Sequence, residues 1–112
     1  MLFTYELARR LEGTGVTVNC VHPGVVRSNF GRDDLEPVMR LLTPLVRPFM
    51  RSPERGADTS VWLASSPEVE GVTGRYYARR RARRSSRRSY DTELARRLWR
   101  VSEELTGLRQ PA

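Results

Sequence analysis

The residues best placed for ligand chemistry form a loop from Pro23 to Ser28, directly after the β-branched run from Val16 to Val21. In an open α/β sheet, ligands bind beyond the carboxyl ends of parallel strands, so this loop is predicted to face such a crevice. Pro23 donates no hydrogen bond and Gly24 permits a close backbone approach, which leaves the following amides free to face a ligand. The same pattern also fits an ordinary turn at the end of a strand.

Tyr5 and Arg9 are four residues apart, so they share one face of the first predicted helix. A phenol that donates protons near neutral pH needs a partner that lowers its pKa, but arginine is a planar fork rather than a compact ammonium group. We therefore interpret Tyr5 as a partly buried structural residue. Cys20 is the only cysteine, and its place beside valines predicts a small buried hydrophobic residue rather than a catalytic thiol.

Helices and strands are predicted around the loop from capping residues and apolar periodicity. The helices are expected over residues 1–12, from Asp33 or Asp34 to Phe49, from Ser52 to Ala64, and from Asp91 to Gly107. Apolar stripes mark the first and last helices, at Phe3, Leu7 and Leu11 and at Leu94, Leu98, Val101 and Leu105. The strands are expected at Val16 to Val21 and Gly74 to Ala78.

Several segments agree with one known family when they are taken together. They are Glu6 to Leu11, Gly15 to Asn19, His22 to Ser28, Glu54 to Ala57, Ala64 to Tyr77, and Ala95 to Leu108. With these motifs the chain resembles a short-chain dehydrogenase/reductase, and more narrowly the retinol dehydrogenase-like branch. The resemblance covers nearly the whole chain, but it matches only the C-terminal portion of the family's length.

This resemblance implies an α/β fold, an incomplete C-terminal part of a Rossmann-like, doubly wound parallel sheet with about two parallel strands and about four helices. It divides the chain into three parts. Residues 1–74 are expected to form the C-terminal part of an NAD(P)-binding domain, with a substrate lid at 31–52. Residues 75–90 are expected to form an arginine-rich strand and connector, and residues 91–108 an amphipathic helix. One edge of the first strand is expected to be bare, which favours self-association.

The resemblance also implies the roles of the loop residues. NADP or NAD would be bound by Pro23, Gly24, Val26 and Ser28, with the Val26 backbone pairing with the nicotinamide carboxamide and the Ser28 hydroxyl adding a hydrogen bond. Asn29 and Phe30 would begin the substrate lid, and His22 would be a structural residue at the strand end. The apolar lid suits a small apolar alcohol or carbonyl substrate, although simple core packing explains its composition equally well.

Two parts of the family's catalytic machinery are missing from these 112 residues. There is no glycine-rich phosphate loop, and there is no lysine, so the family's proton donor, a tyrosine four residues before a lysine, is absent. No catalytic residue and no metal site is therefore assigned, and the isolated chain is expected to be inactive. A truncated or misassigned start explains this most simply. A cytoplasmic location is expected, because the sequence shows neither a signal peptide nor an apolar stretch able to span a bilayer.

The stretch from Arg75 to Arg88 contains eight arginines in fourteen residues and no acid, so its charge is +8. The net charge of the chain is +7, so the remaining residues together carry −1. We favour a solvated, mobile connector for this stretch, while contact with nucleic acid, a membrane surface or a subunit stays open. Three functions follow: the cofactor- and substrate-closing part of an oxidoreductase, a non-catalytic module that pairs with a related subunit, and a nucleic-acid-binding protein, of which the first is favoured.

Overall fold

The computed structural model of the chain describes residues 1–26 and 37–108, and this part is an α/β fold. The α-helices are α1 (Leu2–Arg10), α2 (Pro37–Val46), α3 (Pro53–Ser65) and α4 (Thr92–Thr106). The strands are β1 (Cys20–His22), β2 (Tyr76–Ala78) and β3 (Arg81–Arg83). Three short 3-10 helices cover Arg47–Phe49, Pro67–Val69 and Arg87–Tyr90.

The sheet has the order β1-β2-β3 and is mixed rather than entirely parallel. β1 and β2 pair in parallel, with Cys20 opposite Tyr76 and His22 opposite Ala78, as the family resemblance implied. β3 then pairs with β2 in antiparallel register, with Tyr76 opposite Arg83. The prediction of a purely parallel sheet is therefore wrong, because the chain turns back at once after β2 and adds a strand that the sequence did not reveal.

Both predicted strands are shorter in the structure than in the sequence interpretation. Ahead of β1, side chains replace the regular ladder, since the Val18 amide donates to the Thr73 hydroxyl at 2.9 Å and the Asn19 side-chain amide donates to the Val72 carbonyl at 2.7 Å. The Arg75 amide donates in turn to the Asn19 side-chain oxygen at 3.0 Å. The two segments thus lie side by side from Val18 onward, but only Cys20–His22 and Tyr76–Ala78 form a strand pair.

Helices α1 and α4 pack against each other through aromatic and charged side chains. The Phe3 and Trp99 rings stack with their centroids 4.8 Å apart, and the Arg10 guanidinium lies 4.5 Å from the centre of the Trp99 ring. The carboxylate of Glu6 is buried and accepts hydrogen bonds from Arg9 and Arg10 at 2.6 and 2.8 Å. The cation over the aromatic face stabilises the contact between α1 and α4, whereas the two hydrogen bonds to the Glu6 carboxylate lie within α1.

The predicted apolar stripes describe this packing only in part. In α1 the buried residues are Tyr5, Glu6 and Ala8, whereas Phe3 is half-exposed. In α4 only Ala95 is buried, and Leu98, Val101 and Leu105 are exposed. Periodicity correctly predicts the helices, but it does not tell which face of a helix has a neighbour.

The capped helices begin where the sequence predicted. The Ser52 hydroxyl accepts from the Arg55 amide at 3.3 Å at the start of α3, and Asp91 accepts from the Leu94 amide at 3.0 Å at the start of α4. Gly107 ends α4 in a left-handed conformation with φ 70°. The predicted cap at Asp33 or Asp34 lies outside the described residues. None of the helices in the described part of the chain is long and apolar enough to cross a bilayer.

Candidate cofactor-binding loop

The loop that follows β1 lies at the carboxyl edge of the parallel strand pair. β1 ends at His22, which is opposite Ala78, the last residue of β2. Pro23 and Gly24 therefore leave the sheet where both parallel strands end, which is the position that the sequence predicted. Gly24 has φ 79°, a left-handed conformation that residues with a Cβ rarely adopt.

Arg51 fixes the course of this loop through its backbone and its side chain. Its amide donates to the Val25 carbonyl at 2.9 Å, and its guanidinium donates to the Pro23 carbonyl at 3.4 Å. Val26 and Arg51 form a parallel bridge, so the chain before α3 adds a short pairing partner to the loop. Gly24 also leaves space for the Arg51 side chain, since a Cβ at position 24 would lie 3.3 Å from Arg51 Cδ.

The Val26 side chain packs directly on the backbone of α3 at Gly56. A Cβ built on Gly56 would lie 2.6 Å from Val26 Cγ2 and 3.0 Å from Cγ1, closer than any ordinary contact between carbon atoms. Gly56 is buried in the first turns of α3, so the absence of a side chain lets the loop approach the helix. Loop and helix thus hold the Val26 backbone in a defined position.

Sequence reasoning missed the roles of Arg51 and Gly56. Arg51 acts across 28 residues, and no local pattern indicates such a contact. Gly56 did carry a signal, because a glycine inside a predicted helix lowers helix stability and often has a packing reason. That signal pointed to close approach of another segment without identifying Val26 as the partner.

An open pocket of about 260 Å³ lies beside the loop. Its lining comprises His22, Gly24, Val25, Phe49, Arg51, Ala78 and Arg79. The imidazole and the guanidinium groups provide hydrogen-bond donors, and Phe49 contributes an apolar ring that is 88% exposed. Among the described residues no carboxylate belongs to this lining, so this part of the pocket combines polar donors with apolar surface.

The structure brings together the predicted residues Pro23, Gly24 and Val26. Ser28, Asn29 and Phe30 lie outside the described residues, as does the first part of the predicted lid. The described part of that lid, α2 and the 3-10 helix after it, exposes Leu41, Leu45 and Phe49. His22 is exposed at the end of β1, and Cys20 is half-buried, so the prediction of a buried cysteine holds only in part.

Tyr5 is a structural residue, as the sequence indicated. Its hydroxyl shares a 2.7 Å hydrogen bond with the Ser85 hydroxyl, and its ring stacks on Tyr90 with centroids 5.3 Å apart. Burial raises the pKa of Tyr5, the direction opposite to that required of a proton donor near neutral pH. Arg9, the suspected partner of the phenol, bonds Glu6 instead.

A glycine turn at the carboxyl edge of parallel strands, beside a pocket with polar and apolar walls, places the described part of the chain in the α/β class, in which ligands bind at this edge of the sheet. No protein-family model matches the chain. The chain is 50% identical to retinol dehydrogenase 14 of Homo sapiens over 112 residues, which cover 96% of this chain and 33% of that protein. It is 43% identical to retinol dehydrogenase 12 of Mus musculus over 108 residues, 96% of this chain and 34% of the relative. Retinol dehydrogenase 13 of Homo sapiens is 39% identical over 123 residues, covering 100% of the chain and 35% of that protein.

These identities extend along nearly the whole chain, and they show that it belongs to the retinol dehydrogenase-like branch of the short-chain dehydrogenase/reductase family. The chain spans about a third of the length of the curated relatives it matches. The predicted family is thereby confirmed, together with the prediction that the resemblance reaches only a portion of the family's length.

Proposed function

We propose that this chain supplies the nicotinamide-binding loop and the apolar lid of an NAD(P)-dependent oxidoreductase that acts on an apolar alcohol or carbonyl of the retinol type. The observation that carries the proposal is the position of Pro23 and Gly24 at the carboxyl edge of the β1–β2 pair. The names of the matched relatives support the substrate class. A cytoplasmic location stays a prediction from the sequence alone.

The backbone of Val26 fits its proposed role in binding the carboxamide. In the bridge to Arg51, the observed hydrogen bond uses the Val25 carbonyl and the Arg51 amide. In a parallel bridge of this kind the residues that flank Val26 make the hydrogen bonds, so its own N–H and C=O point away from Arg51. One donor and one acceptor on the same residue match the oxygen and the NH₂ group of a carboxamide.

The cofactor, when bound, supplies the hydride chemistry, and this chain's residues would orient it. Val26 and Ser28 would fix the rotation of the nicotinamide ring, and the glycine at position 24 keeps the backbone close enough for that contact. Asn29 and Phe30 would begin the lid that excludes water from the reacting carbon. The proton donor and the diphosphate-binding loop are absent from these 112 residues, so we propose that the isolated chain does not catalyse turnover.

A chimera tests the proposal directly. The matching third of human retinol dehydrogenase 14 is replaced by this chain, and turnover is measured with retinol and oxidised NADP or NAD, and with retinal and the reduced cofactor. We expect a folded, active chimera in which Ser28→Ala raises the KM for the cofactor about 2- to 12-fold, as for one lost hydrogen bond of about 0.5–1.5 kcal/mol. Ser28→Thr keeps the hydroxyl and is the matched control.

The outcomes separate a binding role from a structural one. A rise in cofactor KM in Ser28→Ala but not in Ser28→Thr supports the proposed contact. Equal kinetics in the parent chimera and Ser28→Ala would remove Ser28 from the site. A chimera that folds with native circular dichroism yet shows no turnover would refute the proposed function of the loop and lid.

A second candidate function rests on the outer edge of β1. Within the described residues β1 has a neighbour only on the β2 side. The Cys20 amide donates to the Arg75 carbonyl at 2.9 Å, so by alternation the Val21 amide points to the outer edge. We propose that this edge pairs with another strand, either in a second copy or in a related subunit.

Val21→Pro tests edge pairing because it removes the outward donor and leaves the Cys20 bond to β2 in place. Val21→Thr keeps both the donor and the β-branched shape and is the control. Sedimentation velocity should show that the parent and Val21→Thr associate and that Val21→Pro does so less. Equal association of all three chains, with unchanged far-ultraviolet circular dichroism, would exclude the β1 edge as the interface.

A further inference from the structure

The arginine-rich stretch, for which the sequence predicted a strand and a connector, contains β3 and the 3-10 helix Arg87–Tyr90. Arg79 and Arg80 occupy a tight turn at φ 53° and 57°, and this turn returns the chain into β3. The Arg80 amide donates to the Thr59 hydroxyl at 3.2 Å, and its guanidinium forms an ion pair with Asp58 of α3. After β3, the 3-10 helix Arg87–Tyr90 ends at the N-cap of α4.

Folding of this stretch creates a second open pocket, of about 380 Å³. It lies between β3, α1 and the 3-10 helix, and its side-chain walls come from Tyr5, Arg75, Tyr76, Arg83, Arg84 and Tyr90. Tyr76 and Arg83 are paired across β2 and β3, so they share one face of the sheet. The pocket begins at Gly74, at the start of β2, and is separate from the pocket beside the Pro23 loop at its end.

The chemistry of this pocket favours an anion with a flat ring. Arg75, Arg83 and Arg84 are exposed, and the lining contains no acidic residue from the described ranges 1–26 and 37–108. Hydrogen bonds involving Ser85 and Tyr5, together with the positive charge of Arg84, lower the pKa of Tyr90. One face of the Tyr90 ring stacks on Tyr5, and the residue is 49% exposed, so part of the residue is accessible to a ligand.

Ser85 gives the pocket a fixed frame. Its hydroxyl bonds the Tyr5 hydroxyl at 2.7 Å, its amide donates to the Tyr90 hydroxyl at 3.0 Å, and its hydroxyl also contacts Ser89. These bonds connect α1 to the end of the arginine-rich stretch, directly after Arg84. This frame fixes the backbone next to Arg84, while ordering of the two exposed arginine side chains by a ligand still costs conformational entropy.

We propose that this pocket binds the phosphate of a nucleotide, with Arg83 and Arg84 on the phosphate oxygens and the nucleobase against the outer face of Tyr90. Guanidinium groups bind phosphate bidentately, and bases stack on aromatic side chains with little sequence preference. The nucleotide can be free or can belong to a single strand of nucleic acid, because both present the same phosphate and base. The proposal is independent of the function proposed for the Pro23 loop.

The test uses the complete 112-residue chain and two probes. Adenosine triphosphate is titrated by isothermal calorimetry, and a fluorescein-labelled oligodeoxythymidine of about 15 nucleotides is titrated by anisotropy. Arg83→Gln/Arg84→Gln should weaken binding of the preferred probe by about tenfold or more, because two charge-assisted contacts are lost. Arg97→Gln/Arg100→Gln removes the same charge from exposed α4 positions and should change affinity less than about twofold at physiological salt.

Two further variants examine geometry and stacking. Arg83→Lys/Arg84→Lys keeps the charge without the fork, and its affinity should lie between those of the parent and the glutamine variant. Tyr90→Leu removes the ring and should weaken both probes while leaving the charge unchanged. Circular dichroism of each variant verifies the fold, and Arg83 and Arg84 are exposed, so their replacement should not alter it.

The results decide both the site and the source of the nucleotide. Tight triphosphate binding with a weak oligonucleotide points to a free nucleotide, and the reverse preference, with triphosphate competing, points to a strand. Equal losses in the Arg83/Arg84 and Arg97/Arg100 glutamine variants would overturn the proposal in favour of a general electrostatic field. Binding of neither probe, or binding only to phosphatidylserine vesicles, would overturn it as well.

Discussion

Gly56→Ala tests whether the helix α3 backbone positions the candidate loop. The new Cβ would lie 2.6 Å from Val26 Cγ2, whereas carbon atoms in contact are normally about 3.5–4.0 Å apart. Val26 must therefore move by about 1 Å or the helix must shift. Such overpacking costs about 1–3 kcal/mol. Alanine is better than glycine inside a helix by about 1 kcal/mol, so we expect a net loss near 1 kcal/mol.

The double variant Gly56→Ala/Val26→Ala identifies the source of this loss. Val26→Ala alone removes two methyl groups from a half-buried side chain and should cost about 1 kcal/mol. In the double variant, the methyl group introduced at position 56 occupies the space that the valine methyl groups leave. The double variant should therefore be more stable than the sum of the single losses predicts, by about 1–2 kcal/mol.

These free energies are measured by urea unfolding, which is monitored by far-ultraviolet circular dichroism and by the fluorescence of Trp62. Trp62 lies on α3, with its ring centroid 5.6 Å from that of Tyr77. Gly107→Ala is the control glycine change, because it introduces strain at φ 70° with no atom within 4 Å. Its cost should add to that of Val26→Ala. A coupling energy below about 0.5 kcal/mol between positions 56 and 26 would refute the packing argument.

Three further predictions follow from the same structure. Glu6→Gln should lower stability by about 1–2 kcal/mol near neutral pH, since hydrogen bonds from two half-exposed arginines are weakened. Burial raises the pKa of Glu6, but the bonds from Arg9 and Arg10 outweigh burial and lower it. The parent's advantage over Glu6→Gln should therefore be complete above the unfolded carboxyl's pKa and disappear as pH falls through the lowered folded value, measured by urea unfolding at several pH values. Asp91→Ala should cost about 1 kcal/mol through loss of the cap on α4, and Asp91→Asn should restore most of it in thermal melts. The isolated chain should be marginally stable or self-associated, and a sharp, reversible, monomeric melt near about 60 °C would contradict this expectation.

The helices could be predicted because their signals are local. Ser52 and Asp91 are followed by apolar periodicity, and Gly107 supplies the left-handed residue that ends α4. β3 could not be predicted, because Arg81-Ala82-Arg83 lacks β-branched and aromatic residues. Its turn also uses two arginines at positive φ, where glycine or asparagine is the usual signal. Pairing with β2 overrides both local preferences.

The candidate loop was predicted in position but not in its supports. The proline-glycine pair after a β-branched run marks where a strand ends, and the family resemblance adds the expected ligand. The supports are tertiary contacts: Arg51 reaches Pro23 across 28 residues, and Val26 packs on the bare backbone of Gly56. Neither contact leaves a period or a spacing in the sequence. Only the glycine inside a predicted helix indicated that some segment approaches closely there.

The distribution of apolar surface connects the fold with the proposed site. Among the residues whose burial is described, the buried apolar ones are Tyr5, Ala8, Val69, Tyr77 and Ala95, which form a small core. The most exposed apolar side chains include Leu41, Leu45 and Phe49, at 80%, 73% and 88%, and Phe49 borders the pocket beside the loop. Exposure of such apolar surface to water is unfavourable, and contact with another apolar group removes this cost. A lid that closes over an apolar substrate uses these side chains in that way, and so does an interface with further protein. Both uses place apolar surface next to the loop proposed to bind nicotinamide, where exclusion of water would favour the proposed hydride transfer.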